Sequence, residues 1–190
     1  MANRQALREL QSRLASRLQA AQSEGASVEW LAVEIGGKPF LFPLGQAGEI
    51  FPWTTVQSVP YTQAWFLGVA NLRGGLCGVV DLLQFAAARS AQALSGTDDT
   101  PPATAPRRID ALNGEASLLA FNAALEVQCA LVVDRLAGLR GGEAFVSVQP
   151  RADDAPVWLG PVYIDAQGAH WQEIDLQALA QHPFFLSISS

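Results

Sequence analysis

Lysine is almost missing from this chain: Lys38 is the only one in 190 residues. With the arginines it makes 12 basic residues against 18 acidic ones, a net charge of −6. No broad cationic surface is available to neutralise a phosphate backbone, so nucleic acid is not an expected partner. Histidine is nearly as scarce. Nucleophilic catalysis of the common kind needs a base oriented by a third group, and the only imidazoles, His170 and His182, stand in no recognisable catalytic motif. Cys77 and Cys129 lie in apolar runs without a CxxC, which fits reduced core thiols; the cysteines and histidines are scattered from 77 to 182, which argues against zinc. The pairs Gly36-Gly37 and Gly74-Gly75 lack the GxGxxG or GxxxxGK[ST] context that cradles phosphate. Carboxylate pairs at Asp98-Asp99 and Asp153-Asp154 sit in polar loops, where charge serves solvation. No cofactor, metal or enzymatic activity is expected. Long apolar runs are missing too. None approaches the ~18 to 20 residues of a membrane span, and the polar start Met-Ala-Asn-Arg-Gln-Ala-Leu-Arg has no secretory h-region. The expectation is a cytoplasmic protein without direct membrane insertion.

What the chain does contain is apolar. Hydrophobic residues make up 49% and charged ones 16%, enough to bury a sizeable core in one domain or in two small ones sharing an interface. Five tryptophans (30, 53, 65, 158, 171), without interleaved cations, suit core or interface packing better than a stacking platform for bases. Over residues 2–22, Leu7, Leu10, Leu14, Leu18 and Ala21 fall on one side of a helix, with Arg4, Arg8, Arg13 and Arg17 beside that stripe. With Glu9 and Glu24 the segment is net +2, leaving −8 for the remainder. Such a helix docks on its own domain, on a second copy or on a protein partner; anionic lipid is a weaker alternative.

From Val28 the period changes to that of strands. Residues 28–35 and 39–44 around Gly36-Gly37 predict a hairpin. A Gly-containing turn over 46–50 and a Pro-bounded stretch over 52–60 follow, then strands over 65–70 and 76–80. Asp81 suits the N-cap of a short helix, 82–88. Residues 90–106, largely Ser, Ala, Thr, Asp and Pro, bury too little apolar surface to offset their ordering entropy and predict a mobile loop. Strands are expected over 116–121, 125–133, 144–148, 157–164 and 170–174, with a turn at 138–142. Asp175 repeats the N-cap role ahead of a helix over 176–181 that stops at His182-Pro183, where a cationic imidazole would suit the helix dipole. An offset of 94 sets Gly74 on Gly168, Val80 on Ile174, Asp81 on Asp175, Leu82 on Leu176 and Asn71 on Asp165. Turn glycine, apolar strand, capping aspartate and apolar helix thus occur twice in one order. Duplicated short strands predict an all-β fold with flanking helices, two small antiparallel barrels side by side, because closure removes exposed sheet edges. The units are a helix over 1–26, barrel halves over 27–89 and 108–186, and a loop over 90–107.

Arg73 stands out between two apolar runs, 65–72 and 76–80. Either it is a hairpin arginine pointing to water, or its planar fork bonds a carboxylate and fixes the loop for another protein to read. Glu49 is the carboxylate to pair with it.

At Gly68-Val69-Ala70-Asn71-Leu72-Arg73-Gly74, followed by Val79-Val80-Asp81-Leu82, the chain resembles the CheW family of chemotaxis adaptors, whose pattern is G-V-x-N-x-R-G, a strand, then D-L. Glu49-Ile50, Val59-Pro60 and Leu131-Val132-Val133-Asp134 stand in the expected order around it. The leucine-striped start and the ending over 178–186 are more similar to the PilI branch, which serves type IV pili and twitching motility; the flagellar CheW type is the alternative. The resemblance implies two pseudo-repeated five-stranded SH3/OB-like barrels, no catalysis, and a scaffold recruited to receptor arrays at the inner membrane. There it would join the cytoplasmic tips of methyl-accepting chemoreceptors to the regulatory domain of a histidine kinase. Carried over by motif, the partner-binding residues are Ala47, Glu49, Gly68, Asn71, Arg73 and Gly74, with Glu49 and Arg73 as a structural ion pair. Gly68 would leave room for a receptor helix, so Gly68→Trp and Arg73→Glu are expected to abolish receptor coupling in a folded protein. The rival readings are a ligand- or oligonucleotide-binding barrel and an enzyme with a site around His170 and Trp171.

Overall fold

The computed structural model describes residues 28–94 and 116–189. The helix expected over 2–22, and with it the unit 1–26, lies outside them, as does most of the loop expected over 90–107. Eleven strands and three helices are described: β1 (Val28–Ile35), β2 (Lys38–Pro43), β3 (Ala47–Pro52), β4 (Phe66–Leu72), β5 (Gly75–Val80), α1 (Leu82–Leu94), β6 (Ser117–Phe121), β7 (Cys129–Val133), β8 (Arg135–Gly141), β9 (Phe145–Gln149), β10 (Leu159–Asp165), β11 (His170–Ile174), α2 (Leu176–Ala180) and α3 (Pro183–Leu186). Four local expectations change. The strand expected over 125–133 starts only at Cys129, since Ala123–Leu125 form a 3-10 turn that ends on Glu126 at φ +57°. The turn expected over 46–50 gives way from Ala47 to a strand that runs to Pro52, because β3 pairs with β6. Gly138 does not end a strand: with φ +96° it sits where the pairing of β1 and β8 shifts register, and β8 runs on to Gly141. The helix capped by Asp81, whose Oδ1 accepts the Leu83 and Gln84 amides, continues to Leu94, into the stretch expected to be loop.

The strands form two sheets, ordered β8-β1-β2-β11-β10-β9 and β3-β6-β7-β5-β4. All neighbours are antiparallel except β2–β11 and β5–β7. Each sheet curls until its ends meet. In the first, β8 and β9 are successive pieces of one bent strand, joined through a 3-10 turn at Gly142–Ala144. In the second, Gln57, just beyond β3, exchanges backbone hydrogen bonds of 2.8 and 2.9 Å with Val69 of β4. With each bent strand taken as one, both are five-stranded barrels.

The repeat is legible in three dimensions. Gly74 and Gly168 have φ of +82° and +81°. Asn71 Oδ1 accepts the Gly74 amide, and Asp165 Oδ1 accepts the Gln167 and Ala169 amides. The amides of Asp81 and Asp175 donate to the carbonyls of Trp65 and Trp158 at 2.9 Å. The two halves nevertheless do not fold as separate barrels. The hairpin β1–β2 belongs to the sheet of β8–β11, and the hairpin β6–β7 to the sheet of β3–β5, so each half lends its first hairpin to the other.

Alternation then builds three cores. Trp30, Ala32, Leu41 and Trp171 fill one barrel; Ala70, Cys77, Val79, Leu118, Ala130 and Val132 fill the other. Leu31, Val33, Ile35, Leu119, Leu131 and Val133 face the seam between them, with Trp65, Phe85 and Phe185. This is why all five residues of β7 are buried. Phe85 of α1 meets Trp65 and Trp158 edge-on at 5.2 and 5.6 Å, and Phe185 of α3 stacks between Trp65 and Phe121 at 5.9 Å from each. Among the described residues no helix is long and apolar enough to cross a membrane.

Candidate functional site

The β4–β5 hairpin closes on the pair of Leu72 with Gly75, leaving Arg73 and Gly74 as a two-residue loop. Their φ values, +50° and +82°, make a turn whose twist matches that of the strands. An arginine in the left-handed region costs on the order of 1 kcal/mol, so the surroundings must hold it there. Asn71 does so from within the hairpin, its Oδ1 accepting the Gly74 amide at 2.8 Å. Glu49 does so from outside, its Oε1 lying 2.5 Å from Arg73 Nη2. β3 and β4 stand at opposite ends of the sheet order, and closure of the barrel is what brings the carboxylate to the guanidinium. The Arg73 Cζ also lies 5.9 Å from the Phe51 ring centroid. Side-chain exposures of 74% for Arg73 and 42% for Glu49 put the pair in water, where it contributes under about 1 kcal/mol to folding. Arg73 therefore combines a feature of each reading: it is hydrated, and it is tied to Glu49.

The structure divides the six residues carried over by motif. Glu49, Asn71, Arg73 and Gly74 are exposed and adjoin one another. Ala47 and Gly68 are buried. Ala47 pairs with Phe121 inside the core. At Gly68 (φ +136°) a Cβ would lie 2.1 Å from the Gln57 carbonyl oxygen and 2.9 Å from Ser58 Cα. The missing side chain makes room for the chain that closes the barrel, not for a visiting helix. Gly68→Trp would break that closure, and it no longer separates binding from folding.

One feature of the site went unread in the sequence. Beside the turn lies an apolar groove of about 210 Å³, lined by Phe51, Leu72, Leu76, Cys77, Phe121 and Val127 among others. Leu76, opposite Asn71, is 64% exposed. An apolar residue in register with an exposed asparagine was the available signal. Cys77 and Cys129 are both free and buried, and burial raises both thiol pKa values.

The residues of the rival readings lie in the other barrel and face different surroundings. His170 is exposed, its Nδ1 3.1 Å from the Gly168 carbonyl. Trp171 is buried, donates from Nε1 to Asp165 Oδ2 at 2.9 Å and lies 4.4 Å from Arg140 Cζ. That indole, with the Ala169 and Gln167 amides, holds the Asp165 carboxyl below the usual range. Burial pushes Glu173 up despite the 2.7 Å hydrogen bond from Trp30 Nε1. Burial and then Glu173 raise Tyr163 to about 12. His182 is not the cation expected: its Nδ1 accepts the Phe184 amide at 3.2 Å, and burial followed by Arg89 lowers its pKa. Among the described residues no group of three metal-ligating side chains occurs.

Twin closed barrels sharing a seam, with an ion-paired turn and an apolar groove displayed on the outside, define a small domain of the two-barrel class. The chain belongs to the CheW-like domain family, whose match covers residues 29–184. It is 28% identical over 180 residues to Protein PilI of Pseudomonas aeruginosa, covering 93% of this chain and 89% of that one. A shorter stretch of 54 residues, 28% of this chain and 35% of the relative, is 37% identical to a probable chemotaxis protein CheW of Rhizobium etli. The crystal structure of the scaffolding protein TtCheW from Thermoanaerobacter tengcongensis is similar in fold, with a TM-score of 0.56 and 12% identity, covering 77% of this chain and 83% of that one.

Proposed function

We propose that this chain is a non-enzymatic scaffold of the chemosensory system that controls type IV pili and twitching motility. It docks the cytoplasmic tip of a methyl-accepting chemoreceptor on one surface and the regulatory domain of a histidine kinase on another, and it is recruited to receptor arrays on the cytoplasmic side of the inner membrane. The observation that carries the receptor surface is the Arg73 turn, fixed by Asn71 and Glu49 yet left open to water beside an apolar groove. A reversible protein interface needs an apolar centre and a polar rim of modest area, and the groove and the turn supply one of each. Glu49, Asn71, Arg73 and Gly74 form the rim; Ala47 and Gly68 act from beneath by holding β3 and β4 in place. Similarity to Protein PilI over most of both chains favours the pilus system over the flagellar one.

The test is co-purification with a receptor signalling domain and with a kinase regulatory domain. Arg73→Glu is expected to lose the receptor, retain the kinase and keep its melting temperature within a few degrees, since an exposed pair is removed. Undiminished receptor binding by Arg73→Glu would overturn the assignment. Loss of twitching with intact swimming in a deletion strain is expected; the reverse would favour the flagellar alternative.

A further inference from the structure

Two leucines of β8 are out of keeping with the face they occupy. Leu139 pairs with Leu31 and Leu136 with Val33, so both point to the side on which Leu31 and Val33 are buried in the seam. Yet Leu136 is 41% and Leu139 59% exposed. The other side of β8 is provided for: Ala137 packs in the barrel core and Arg140 covers Trp171. In the other sheet the edge strand β3 sets Ile50 opposite Leu119, and there Ile50 is packed against the core, near β6 whose Phe121 stacks on Phe185 of α3. The C-terminal helix thus finishes one flank of the seam. No element among the described residues does the same for β8.

The chain that precedes Val28 starts from that spot, because Val28 pairs with Gly141 at the end of β8. Its leucine stripe, Leu7 to Leu18, would rise about 16 Å as a helix. Leu136 to Gly141 spans about 17 Å of strand. The five residues 23–27 reach up to about 17 Å, enough to turn the chain back over β8. The segment's net charge of +2 is opposite in sign to the −8 of the remainder. We propose that this leucine-striped segment packs in cis on Leu136 and Leu139, completing the seam at the β8 flank as α3 completes it at the β3 flank. The inference is independent of the receptor site at Arg73.

Disulfide trapping in the full-length chain tests it, with Cys77→Ala and Cys129→Ala removing the native thiols. Leu10→Cys or Leu14→Cys combined with Leu139→Cys should oxidise to an intrachain bond that migrates at monomer mass on a non-reducing gel. A bond at dimer mass would overturn the cis assignment in favour of a second copy, and no bond with either cysteine would overturn docking on β8 altogether. As a second readout in the wild-type background, deleting residues 1–24 should speed amide exchange in β8 by about tenfold or more while leaving β4 and β5 unchanged. Unchanged exchange in β8 would overturn the proposal as well.

Discussion

Arg73 and Glu173 show how differently two charged side chains serve one fold. The arginine is held at an unfavourable positive φ and gains under about 1 kcal/mol from its pair with Glu49. Arg73→Gly should therefore leave the melting temperature unchanged or slightly raised, since glycine adopts the left-handed region freely, while receptor binding is lost. A lower melting temperature would show that the ion pair supports the fold. Glu173 sits in the wall of the other barrel with a carboxyl raised by burial. A raised folded pKa favours the protonated native state, so this group's contribution is full below the unfolded value of about 4.3 and is lost as pH rises through the folded value. Glu173→Gln, whose side-chain oxygen still accepts from Trp30, is expected to raise the melting temperature at pH 7 and not at pH 4. It should also bring Tyr163 down from about 12, read by NMR titration.

Among the elements, α3 carries its own pH dependence. His182 must be neutral at Nδ1 to cap it, and its folded pKa is lowered. The stabilisation is present above the unfolded value of about 6.5 and is lost as pH falls through the folded one, so unfolding of the wild type should steepen below about pH 6.5. His182→Asn, which also caps, should flatten that part of the curve; denaturant midpoints across pH 5 to 8 would show it. Much at this level was legible in the sequence, because local chemistry decides it. Asp81 and Asp175 cap helices as their position before an apolar run implies, and the turn from Asn71 to Gly74 follows from side-chain acceptance and a permissive glycine. The pairing of Glu49 with Arg73 was anticipated because an arginine between two apolar runs calls for a carboxylate and Glu49 follows the first hairpin, where the resembled family also carries a Glu-Ile pair. What failed was decided by distant contacts. Residues 46–50 look like a turn until β6 arrives to pair with β3, and Gly68 looks like a place for a visitor until Gln57 crosses it. The burial of Ala47, an alanine between a turn and a glycine, has no local signature at all.

For the molecule as a whole, the exchanged hairpins matter more than any single contact. Phe85, between Trp65 and Trp158 of the two halves, is the most direct tie across the seam, and Phe85→Ala should cost about 3–5 kcal/mol in denaturant unfolding. Because each barrel holds a hairpin from the other half, a chain cut within the segment 95–107 should give fragments that remain unfolded alone and regain β circular dichroism when mixed. A folded single fragment would contradict the topology. The offset of 94 revealed the repeat, but the sequence held no sign of the exchange, since a hairpin pattern specifies its own turn and not the strands it will lie beside. The same arrangement sets a timetable on the ribosome. β1 and β2 are made first, yet β11, which closes against β2, follows roughly 130 residues later; at about 5–20 residues per second that is some 7 to 26 s of synthesis. Throughout that interval Trp30, Ala32 and Leu41 lack Trp171, which completes their barrel core, so nascent chains of this protein are expected to bind a holding chaperone.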